Sequence, residues 1–262
     1  GWDGSNNEID LVTKTVEPRG DEKELAEITD LIGSYTTNFA SSSAGRAKNV
    51  ITGVSKVDGT ILYPGEEFDL AKTVSPFTQE NGYELAGAYQ NGTVVESFGG
   101  GICQVATTLY NAVIRAELEI TMRFNHSMLV HYVEPSMDAA IAGNYKDLKF
   151  KNNLDAPVYI EGYCSGGIIY FNVYGKETRP SNREISFESE TVSKTDPKVQ
   201  FTMDASLTAG SVSVTQSGQS GCIAQLWKIV KVDGKQQSRD LFNKSNYQAT
   251  PKLITIGTKD AT

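Results

Sequence analysis

Residues 97–111, SFGGGICQVATTLYN, decide the fold of this chain, because three consecutive glycines lead directly into its strongest helical pattern. From position 102 onward, apolar side chains recur three and four residues apart, which is the spacing of a helix with one buried face. These side chains are Ile102, Val105, Ala106, Leu109, Tyr110, Val113 and Ile114. We therefore predict a helix that begins at about Gly101 and packs on a core.

The glycines and the cysteine that follows them point to a candidate site. Adjacent glycines lose much backbone entropy on folding, so they indicate unusual dihedral angles or an object close to the backbone. A substrate is one such object, so we expect Gly99, Gly100 and Gly101 to line a binding site. Cys103 would lie in the first helical turn, where free N–H groups and the helix dipole favour a thiolate and could hold an oxyanion. Alternatively, Cys103 is a small buried apolar residue.

The composition indicates a folded, acidic chain. There are 24 Lys and Arg against 32 Asp and Glu, a net charge of -8, without a basic cluster. This balance argues against a nucleic-acid partner and is compatible with substrates that carry cationic amines. No run approaches the roughly 18 apolar residues that span a bilayer. The start at Gly1-Trp2-Asp3 has no signal-peptide pattern, so we expect membrane attachment only through an N-terminal anchor absent from this chain.

The cysteines indicate free thiols. Cys103, Cys164 and Cys222 are an odd number, so at least one cannot pair within the chain. A disulfide between Cys164 and Cys222 would join the two halves of the molecule, but their spacing does not test the geometry that a bridge requires. We expect all three to be unpaired.

Several elements are predicted upstream of the glycines. Residues 21–39 have apolar side chains at helical spacing and acidic residues at their start, which favours an amphipathic helix. Residues 47–54 fit a helix or a strand. Asp58-Gly59 lies between two short stretches, 55–57 and 60–63, and so predicts a β-hairpin. Residues 84–90 are predicted as a short element and 93–97 as a strand that leads to the glycines.

Two strands, residues 119–124 and 128–133, are predicted after the helix, and Asn125-His126-Ser127 links them. The chain has two histidines. His131 would lie inside a strand, where a lone histidine is usually structural, whereas His126 lies at a strand end. We therefore expect His126 to be the general base of Cys103.

A thiol and imidazole pair commonly has a third group that fixes the imidazole tautomer. Asp138 is our candidate for this member of the catalytic set, and Asn125, Asn144 and Asp147 are alternatives. Each of them could instead cap its own turn. The two histidines with Asp138 could also suggest a metal site, but they lack the i, i+4 spacing of a helical zinc motif. We expect no metal and no cofactor.

The rest of the chain is rich in strands. Residues 156–163 and 168–174 alternate apolar with polar side chains around Gly166-Gly167, which predicts a β-hairpin that closes a first domain. The predicted organisation is a polar N-terminal segment (1–20), a first domain (21–176), a linker (177–183) and an all-β domain (184–262). The fold class is α+β: a cysteine-bearing helix against antiparallel strands, followed by a small elongated all-β domain.

Residues 98–111 resemble the signature of the VanW family of bacterial cell-envelope proteins, and the match continues on both sides. The flanking motifs are Arg46, Asn49, Pro64-Gly65-Glu66-Glu67-Phe68, Gly82-Tyr83, Arg123, Asn125-His126-Ser127, Tyr132, Asp138-Ala139 and Asp147-Leu148-Lys149-Phe150-Lys151-Asn152. The segment 184–262 resembles the all-β module named for its five glycines, which is associated with adhesion or glycan binding. Its glycines are Gly210, Gly218, Gly221, Gly234 and Gly257.

The resemblance implies an extracellular protein of the bacterial cell envelope that binds peptidoglycan stem peptides and glycan. Some VanW-domain proteins look like L,D-transpeptidases, which would give Cys103 the role of nucleophile. Two alternatives stay open: a cysteine peptidase or amidase of the cell wall, and a non-catalytic wall-binding protein. Beside the catalytic set, we expect substrate contacts from Gly99, Gly100, Gly101, Gln104, Thr107, Arg123, Asn125 and Ser127.

Overall fold

The computed structural model describes residues 20–90, 93–143 and 145–259. The polar segment predicted for residues 1–20 therefore lies almost wholly outside the described residues. Within them the chain forms mostly antiparallel sheets with four helices. The helices are α1 (Glu22–Leu25), α2 (Ala44–Val57), α3 (Leu70–Val74) and α4 (Ile102–Arg115).

Nine strands precede residue 176. They are β1 (Asp30–Asn38), β2 (Thr60–Leu62), β3 (Glu67–Asp69), β4 (Leu85–Gln90), β5 (Thr93–Phe98), β6 (Glu119–Met122), β7 (Lys149–Lys151), β8 (Val158–Ser165) and β9 (Ile168–Gly175). A four-stranded antiparallel sheet has the order β1-β9-β8-β2. A second sheet has the order β3-β7-β6, and β4 and β5 form a hairpin.

Helix α4 is the centre of the core. It packs against β1 and β9, and α2 packs beside it and against β8. Every residue from Gln104 to Ile114 is buried, so the polar side chains on the helix must find partners inside the protein. Thr108 shares a 2.7 Å hydrogen bond with Thr37 of β1, and Asn111 donates to the Met137 carbonyl at 2.7 Å. The helix is thus fixed on two sides by polar contacts as well as by apolar packing.

The predicted helix over residues 21–39 is wrong. Only Glu22–Leu25 is helical, with Asp21 as N-cap, and residues 30–38 form β1, which pairs with β9. Gly33 and several threonines make this segment a weak helix former. Gly33 also lies so close to α4 that an added Cβ would be 2.5 Å from the Ala112 carbonyl oxygen. Long-range pairing and packing therefore decide the structure here.

Two further short-range predictions are wrong. Residues 55–57 belong to the last turn of α2, with Asp58 as its C-cap, and β2 pairs with β8 instead of folding back on them. Residues 128–133 contain bends and no strand, because the chain after β6 pairs with no neighbouring strand until β7. We call residues 123–148 the β6–β7 loop.

Other local predictions are confirmed. Residues 168–174 pair with 159–165 across the turn at Gly166 and Gly167, both of which have positive φ. Residues 47–54 are part of α2, whose N-cap is Ser43. β4 and β5 form a hairpin that leads directly to the glycines.

Gly99, Gly100 and Gly101 pack closely against neighbouring residues of the chain. An added Cβ at Gly99 would be 2.9 Å from the Phe77 ring, and one at Gly100 would be 2.7 Å from the Ala86 carbonyl oxygen. Gly99 and Gly101 have φ values of +80° and +112°, a region that side chains disfavour. The neighbouring chain is therefore one object that lies close to this backbone, and the role of these glycines as substrate contacts stays a prediction.

The C-terminal segment contains six strands: β10 (Arg183–Thr195), β11 (Val199–Thr208), β12 (Val212–Gln219), β13 (Gly221–Val232), β14 (Lys235–Tyr247) and β15 (Thr250–Lys259). They form two three-stranded sheets with the orders β10-β13-β14 and β11-β15-β12. β11 runs parallel to β15, and the other pairs are antiparallel.

The sheet β10-β13-β14 packs directly on the first part of the chain. Leu226 of β13 is fully buried in the same core cluster as α4, and Phe187 and Phe242 pack against that cluster. Glu117, just after α4, forms ion pairs with Arg183 and Lys228. The two parts of the chain thus share a core. Among the described residues, no helix is long and apolar enough to cross a bilayer.

Gly100→Ala tests the packing of the glycine run. The added methyl would press on the backbone oxygens of Ala86 and Gly87, at 2.7 and 2.9 Å, so we expect a loss of about 1–3 kcal/mol in the free energy of unfolding. Urea unfolding followed by circular dichroism measures it. Gly59→Ala is a comparison for backbone strain alone, because its added Cβ meets nothing within 4 Å but its φ is +81°. Equal stability of Gly100→Ala and the wild type would contradict the packing explanation.

Candidate active site

The β6–β7 loop brings a histidine and an aspartate to the start of α4. Cys103 is the second residue of this helix, and His126 and Asp138 belong to the loop. The loop is held on the helix by Thr107, whose hydroxyl donates to the Ala139 carbonyl at 3.1 Å and accepts from its N–H at 3.0 Å. Residues separated by more than 30 positions thus meet at one end of α4.

His126 is held by Asp138 through two hydrogen bonds to the same carboxylate oxygen. The Nδ1 atom of His126 and its backbone N–H both lie 2.7 Å from Oδ2 of Asp138. An ionised carboxylate accepts only, so Nδ1 carries the proton in this assignment. The other ring nitrogen, Nε2, is then the atom that can exchange a proton with a neighbouring thiol.

The second oxygen of Asp138 also has two donors. Oδ1 accepts from Nη2 of Arg123 at 2.9 Å and from the Tyr247 hydroxyl at 2.5 Å. Burial raises the pKa of this carboxyl, but the hydrogen bonds of His126 and the charge of Arg123 outweigh it and hold the pKa below its usual range. Asp138 is therefore a buried carboxylate with four donors.

The Cys103 thiol lies beside His126, which acts on its pKa. In its protonated form the thiol donates to the Ile141 carbonyl, with a distance of 3.4 Å from Sγ to oxygen. Burial raises the pKa of the thiol, but the hydrogen bond and positive charge of His126 outweigh burial and lower it below its ordinary value. Burial alone raises the pKa of Cys164 to about 11. The difference between the two thiols comes from the imidazole.

The pKa of the His126 imidazole shifts in the opposite direction to that of the Cys103 thiol. Burial lowers the pKa of His126, but its hydrogen bonds with Asp138 and Cys103 raise it to about 9. A lowered thiol pKa beside a raised imidazole pKa favours the thiolate–imidazolium pair at neutral pH. The geometry can therefore supply a nucleophile and a proton donor together.

The helix terminus supplies a hydrogen-bond donor beside the sulfur. Gly101 is the N-cap of α4, and the Gln104 N–H donates to its carbonyl at 2.9 Å. In the part of the chain that the structure describes, the backbone N–H of Cys103 has no acceptor. This free N–H, at the positive end of the helix dipole, can bind a developing oxyanion.

Several residues predicted to bind substrate are engaged inside the protein, which corrects their assignment. The Gln104 amide donates to Thr37 and to the Asn38 carbonyl and accepts from Arg46. Its polar atoms are thus occupied, and it cannot assist an oxyanion. Thr107 is fully buried in its contacts with Ala139.

Arg123 is also engaged within the protein. Its side chain is only 7% exposed, and its five N–H donors have five acceptors. These acceptors are the Asp138 carbonyl and Oδ1, the Ser136 carbonyl, Asn243 Oδ1 and Ser245 Oγ. Arg123 therefore stabilises the loop and Asp138 and has no donor left for a substrate.

Asn125 and Ser127 flank His126 and differ in their hydrogen bonding and exposure. Both N–H groups of the Asn125 amide are used, by the carbonyls of His126 and Asn246. Ser127 is exposed, and its role as a substrate contact stays a prediction.

The remaining candidates separate clearly. His131 lies in an exposed bend of the loop, not in a strand, so the reason given for preferring His126 was wrong. The contacts with Asp138 and Cys103 distinguish His126 instead. Asp147 accepts from the N–H groups of Ala71 and Leu148, at 2.9 and 2.7 Å, which is the turn-capping alternative. Asn144 lies outside the described residues.

The structure also shows the state of the three cysteines. All three cysteines are free, so Cys164 and Cys222 form no disulfide. Across residues 20–90, 93–143 and 145–259, no group of three or more His, Cys, Asp or Glu could hold a metal ion.

Tyr247 is the site residue that the sequence did not reveal. It is the last residue of β14, is 3% exposed and lies 109 positions from Asp138. No local pattern marks a strand tyrosine as the partner of so distant a carboxylate. A buried strand-end tyrosine needs an acceptor for its hydroxyl, and this was the only signal present.

Comparisons with known proteins agree with this organisation. Residues 45–174 match the family model of VanW-like proteins, and residues 187–259 match the G5 domain model. The protein YoaR of Bacillus subtilis (strain 168) is 34% identical over 172 residues, which are 65% of this chain and 57% of YoaR. The vancomycin B-type resistance protein VanW of Enterococcus faecalis (strain ATCC 700802 / V583) is 26% identical over 118 residues, 43% of this chain and 42% of that protein.

The chain thus spans about half the length of these relatives. Among solved structures, the G5 domain of an IgA1 protease is similar, with 26% identity, a TM-score of 0.23, and coverage of 30% of this chain and 94% of that one. The two family matches follow one another along the sequence in the order in which the first core and the C-terminal sheets occur. The chain contains a VanW domain followed by a G5 domain.

Proposed function

We propose that this chain is a cysteine-dependent acyltransferase of the bacterial cell wall, an L,D-transpeptidase. The observation that carries the proposal is the position of Cys103 beside the hydrogen-bonded pair His126–Asp138 at the start of a buried helix. A thiol, an imidazole and an orienting carboxylate in this order are suited to acyl transfer. The VanW and G5 matches suggest association with the cell wall, and this supports peptidoglycan stem peptides as the substrate class.

The first half-reaction forms a thioester. The Cys103 thiolate attacks the carbonyl carbon that joins the third residue of a stem peptide to its terminal D-alanine. The C–S bond forms, and the negative charge moves to the carbonyl oxygen, which the Cys103 N–H can hold. The tetrahedral intermediate then breaks its C–N bond while the His126 imidazolium donates its Nε2 proton to the leaving amine. D-alanine departs, and the acyl group stays on sulfur.

The second half-reaction forms the cross-link. The side-chain amine of a second stem peptide attacks the thioester, and neutral His126 takes a proton from it. The new C–N bond forms as the C–S bond breaks, and the thiolate–imidazolium pair is restored. If water attacks instead, the product is a free tripeptide. Transfer and hydrolysis use the same protein groups, so product analysis separates them.

Asp138 has a positioning role in this mechanism. Its two bonds to His126 fix the ring so that Nε2 faces the thiol, and its charge stabilises the imidazolium. Its pKa stays low because four donors surround it, so it does not take up the proton.

Cys103→Ala tests the nucleophile. Wild-type protein incubated with a disaccharide tetrapeptide should release D-alanine and form cross-linked dimers, detected by mass spectrometry together with an acyl adduct on Cys103. Cys103→Ala should give neither product, because no thiol is left to form the thioester. Cys164→Ala, which removes another partly buried free thiol, should keep both activities.

The products decide between the alternatives. Dimers formed by Cys103→Ala would refute the mechanism. Tripeptide without dimers would move the assignment to a hydrolase. No turnover of any stem peptide by wild-type protein would favour the wall-binding alternative.

His126→Ala and His131→Ala test the base. Loss of a general base typically costs about a hundredfold to ten-thousandfold in rate, and we expect His126→Ala to fall in this range with its fold intact. His131 is exposed in the loop, so His131→Ala should keep the wild-type rate. Initial rates of D-alanine release measure both. The opposite ranking would assign the base to His131.

Asp138→Asn tests the origin of the lowered thiol pKa. In the wild type, alkylation of Cys103 by iodoacetamide should have its midpoint below about pH 8.5, the value of an unperturbed thiol. Without the carboxylate, burial leaves His126 neutral, so the midpoint in Asp138→Asn should rise by about one unit or more. Mass spectrometry of the alkylated peptides measures it, and Cys164, whose pKa is raised to about 11, is the slow internal reference. An unchanged midpoint would show that the imidazolium does not set the reactivity of Cys103.

A further inference from the structure

The last residue of β14 reaches across from the G5 domain into the candidate site. Tyr247 is nearly fully buried, and its hydroxyl donates to Oδ1 of Asp138 at 2.5 Å. The same hydroxyl accepts from the backbone N–H of Ser136 at 2.7 Å. One side chain of the C-terminal domain therefore holds both the carboxylate and the backbone that precedes it.

Neighbouring residues of the same domain support this contact. Ser245, two residues earlier on β14, accepts from Nη1 of Arg123 at 2.9 Å, and Arg123 donates to Asp138 through Nη2. Ser136, which has a positive φ of 68°, donates from its hydroxyl to the Ala224 carbonyl of β13 at 3.0 Å. The strands β13 and β14 thus form a rigid support beneath the turn that presents Asp138.

The backbone of the loop is held on this support near His126 as well. The Gln248 N–H donates to the Ser127 carbonyl at 2.7 Å, and the Asn125 amide donates to the Asn246 carbonyl at 3.0 Å. Both members of the His126–Asp138 pair are therefore flanked by contacts to residues at the end of β14. The loop lies between α4 on one side and the G5 domain on the other.

We propose that Tyr247 is a positioning residue of the Cys103 site, and that the G5 domain thereby completes the site formed by the VanW domain. The hydroxyl of Tyr247 fixes Oδ1 of Asp138, so that Oδ2 remains on Nδ1 of His126. This inference rests on the proposed function for its effect on turnover. Its effect on the reactivity of Cys103 can be measured without any stem peptide.

Removing the hydroxyl acts on Cys103 through the orientation of Asp138 and His126. Asp138 would keep three donors, two from His126 and one from Arg123, and its carboxylate would be less firmly oriented. A less firmly oriented carboxylate also holds the His126 ring less firmly beside Cys103, whose thiol pKa that ring lowers. Weaker orientation of His126 raises the same pKa. The titratable and charged groups that face Asp138 are Arg123, His126, Tyr247, Cys103, Cys222, Tyr110 and Tyr132.

Tyr247→Phe in the full chain tests the proposal. The ring stays in place while the donor is lost, so the midpoint of Cys103 alkylation should move upward by about half a pH unit, the size expected for one hydrogen bond. With a stem peptide, kcat should fall about tenfold while KM is unchanged, because the substrate does not touch Tyr247. The NMR resonance of the His126 Nδ1 proton should also shift.

Ser189→Ala is the matched control. Its hydroxyl donates to the Pro135 carbonyl at 2.6 Å, so it also removes one hydrogen bond between β10 and this loop, but it does not touch Asp138. Thermal unfolding of both variants shows how much stability each bond contributes. The alkylation midpoint of Ser189→Ala should equal that of the wild type.

The double variant Asp138→Asn with Tyr247→Phe separates positioning from general weakening. If Tyr247 acts through Asp138, adding Tyr247→Phe to Asp138→Asn should produce no further shift in the midpoint. An additive shift, or equal effects of Tyr247→Phe and Ser189→Ala, would overturn the proposal. Turnover of stem peptides by the wild type with an unchanged midpoint in Tyr247→Phe would also overturn it. Absence of turnover in the wild type would contradict the transpeptidase function alone. The midpoint of Cys103 alkylation would still test the role of Tyr247, because it is measured without a stem peptide.

A second variant applies if Tyr247→Phe unfolds at the assay temperature. Placing 3-fluorotyrosine at position 247 alone keeps the shape of the side chain and makes its hydroxyl a stronger donor. Asp138 is then held more firmly with Oδ2 on Nδ1 of His126, so the alkylation midpoint of Cys103 should move downward. A midpoint equal to that of the wild type would overturn the proposal.

Discussion

The buried negative charge of Asp138 is the constraint on which the site depends. A carboxylate that is removed from water is costly unless charged and hydrogen-bonding partners replace its hydration. Here two donors come from His126, one from Arg123 and one from Tyr247. These partners belong to the β6–β7 loop and to β14, so satisfying one charge also fixes the G5 domain on the loop. The orientation of the imidazole is a consequence of how that charge is buried.

The sequence correctly predicted the elements that depend on residues close together in the chain. The pattern before and after Gly101 marks the start of α4, and alternation around Gly166 and Gly167 marks the β8–β9 hairpin. Residues 30–38 form a strand because they pair with β9, more than 130 positions away. An isolated helical spacing of apolar residues cannot reveal such a partner. The same limit explains the wrong hairpin at residues 55–63, where β2 pairs with β8 instead.

Within the site, the sequence indicated which residues carry the chemistry, but it did not indicate which neighbouring side chains are buried. A cysteine at a helix start and a motif histidine were local signals, and the structure places both beside Asp138. Gln104 and Arg123 were expected to face a substrate because polar residues near a possible nucleophile often do. They are buried instead, because a helix enclosed on several sides needs internal partners for its own polar neighbours. Whether a polar side chain points to solvent or to the core depends on contacts with distant strands.

The shared core changes how the role of the G5 domain should be considered. The sequence resemblance associates this module with adhesion or glycan binding and assigns it no residue of the site. Leu226 is fully buried in the cluster that surrounds α4, and Tyr247 contacts Asp138. Separating the domains would therefore expose part of the main core and leave a buried carboxylate with one donor fewer. Because the residues that precede and include Asp138 are held by Tyr247, orientation of the imidazole depends on the interface with the G5 domain, and a truncated first domain is not a neutral version of the site.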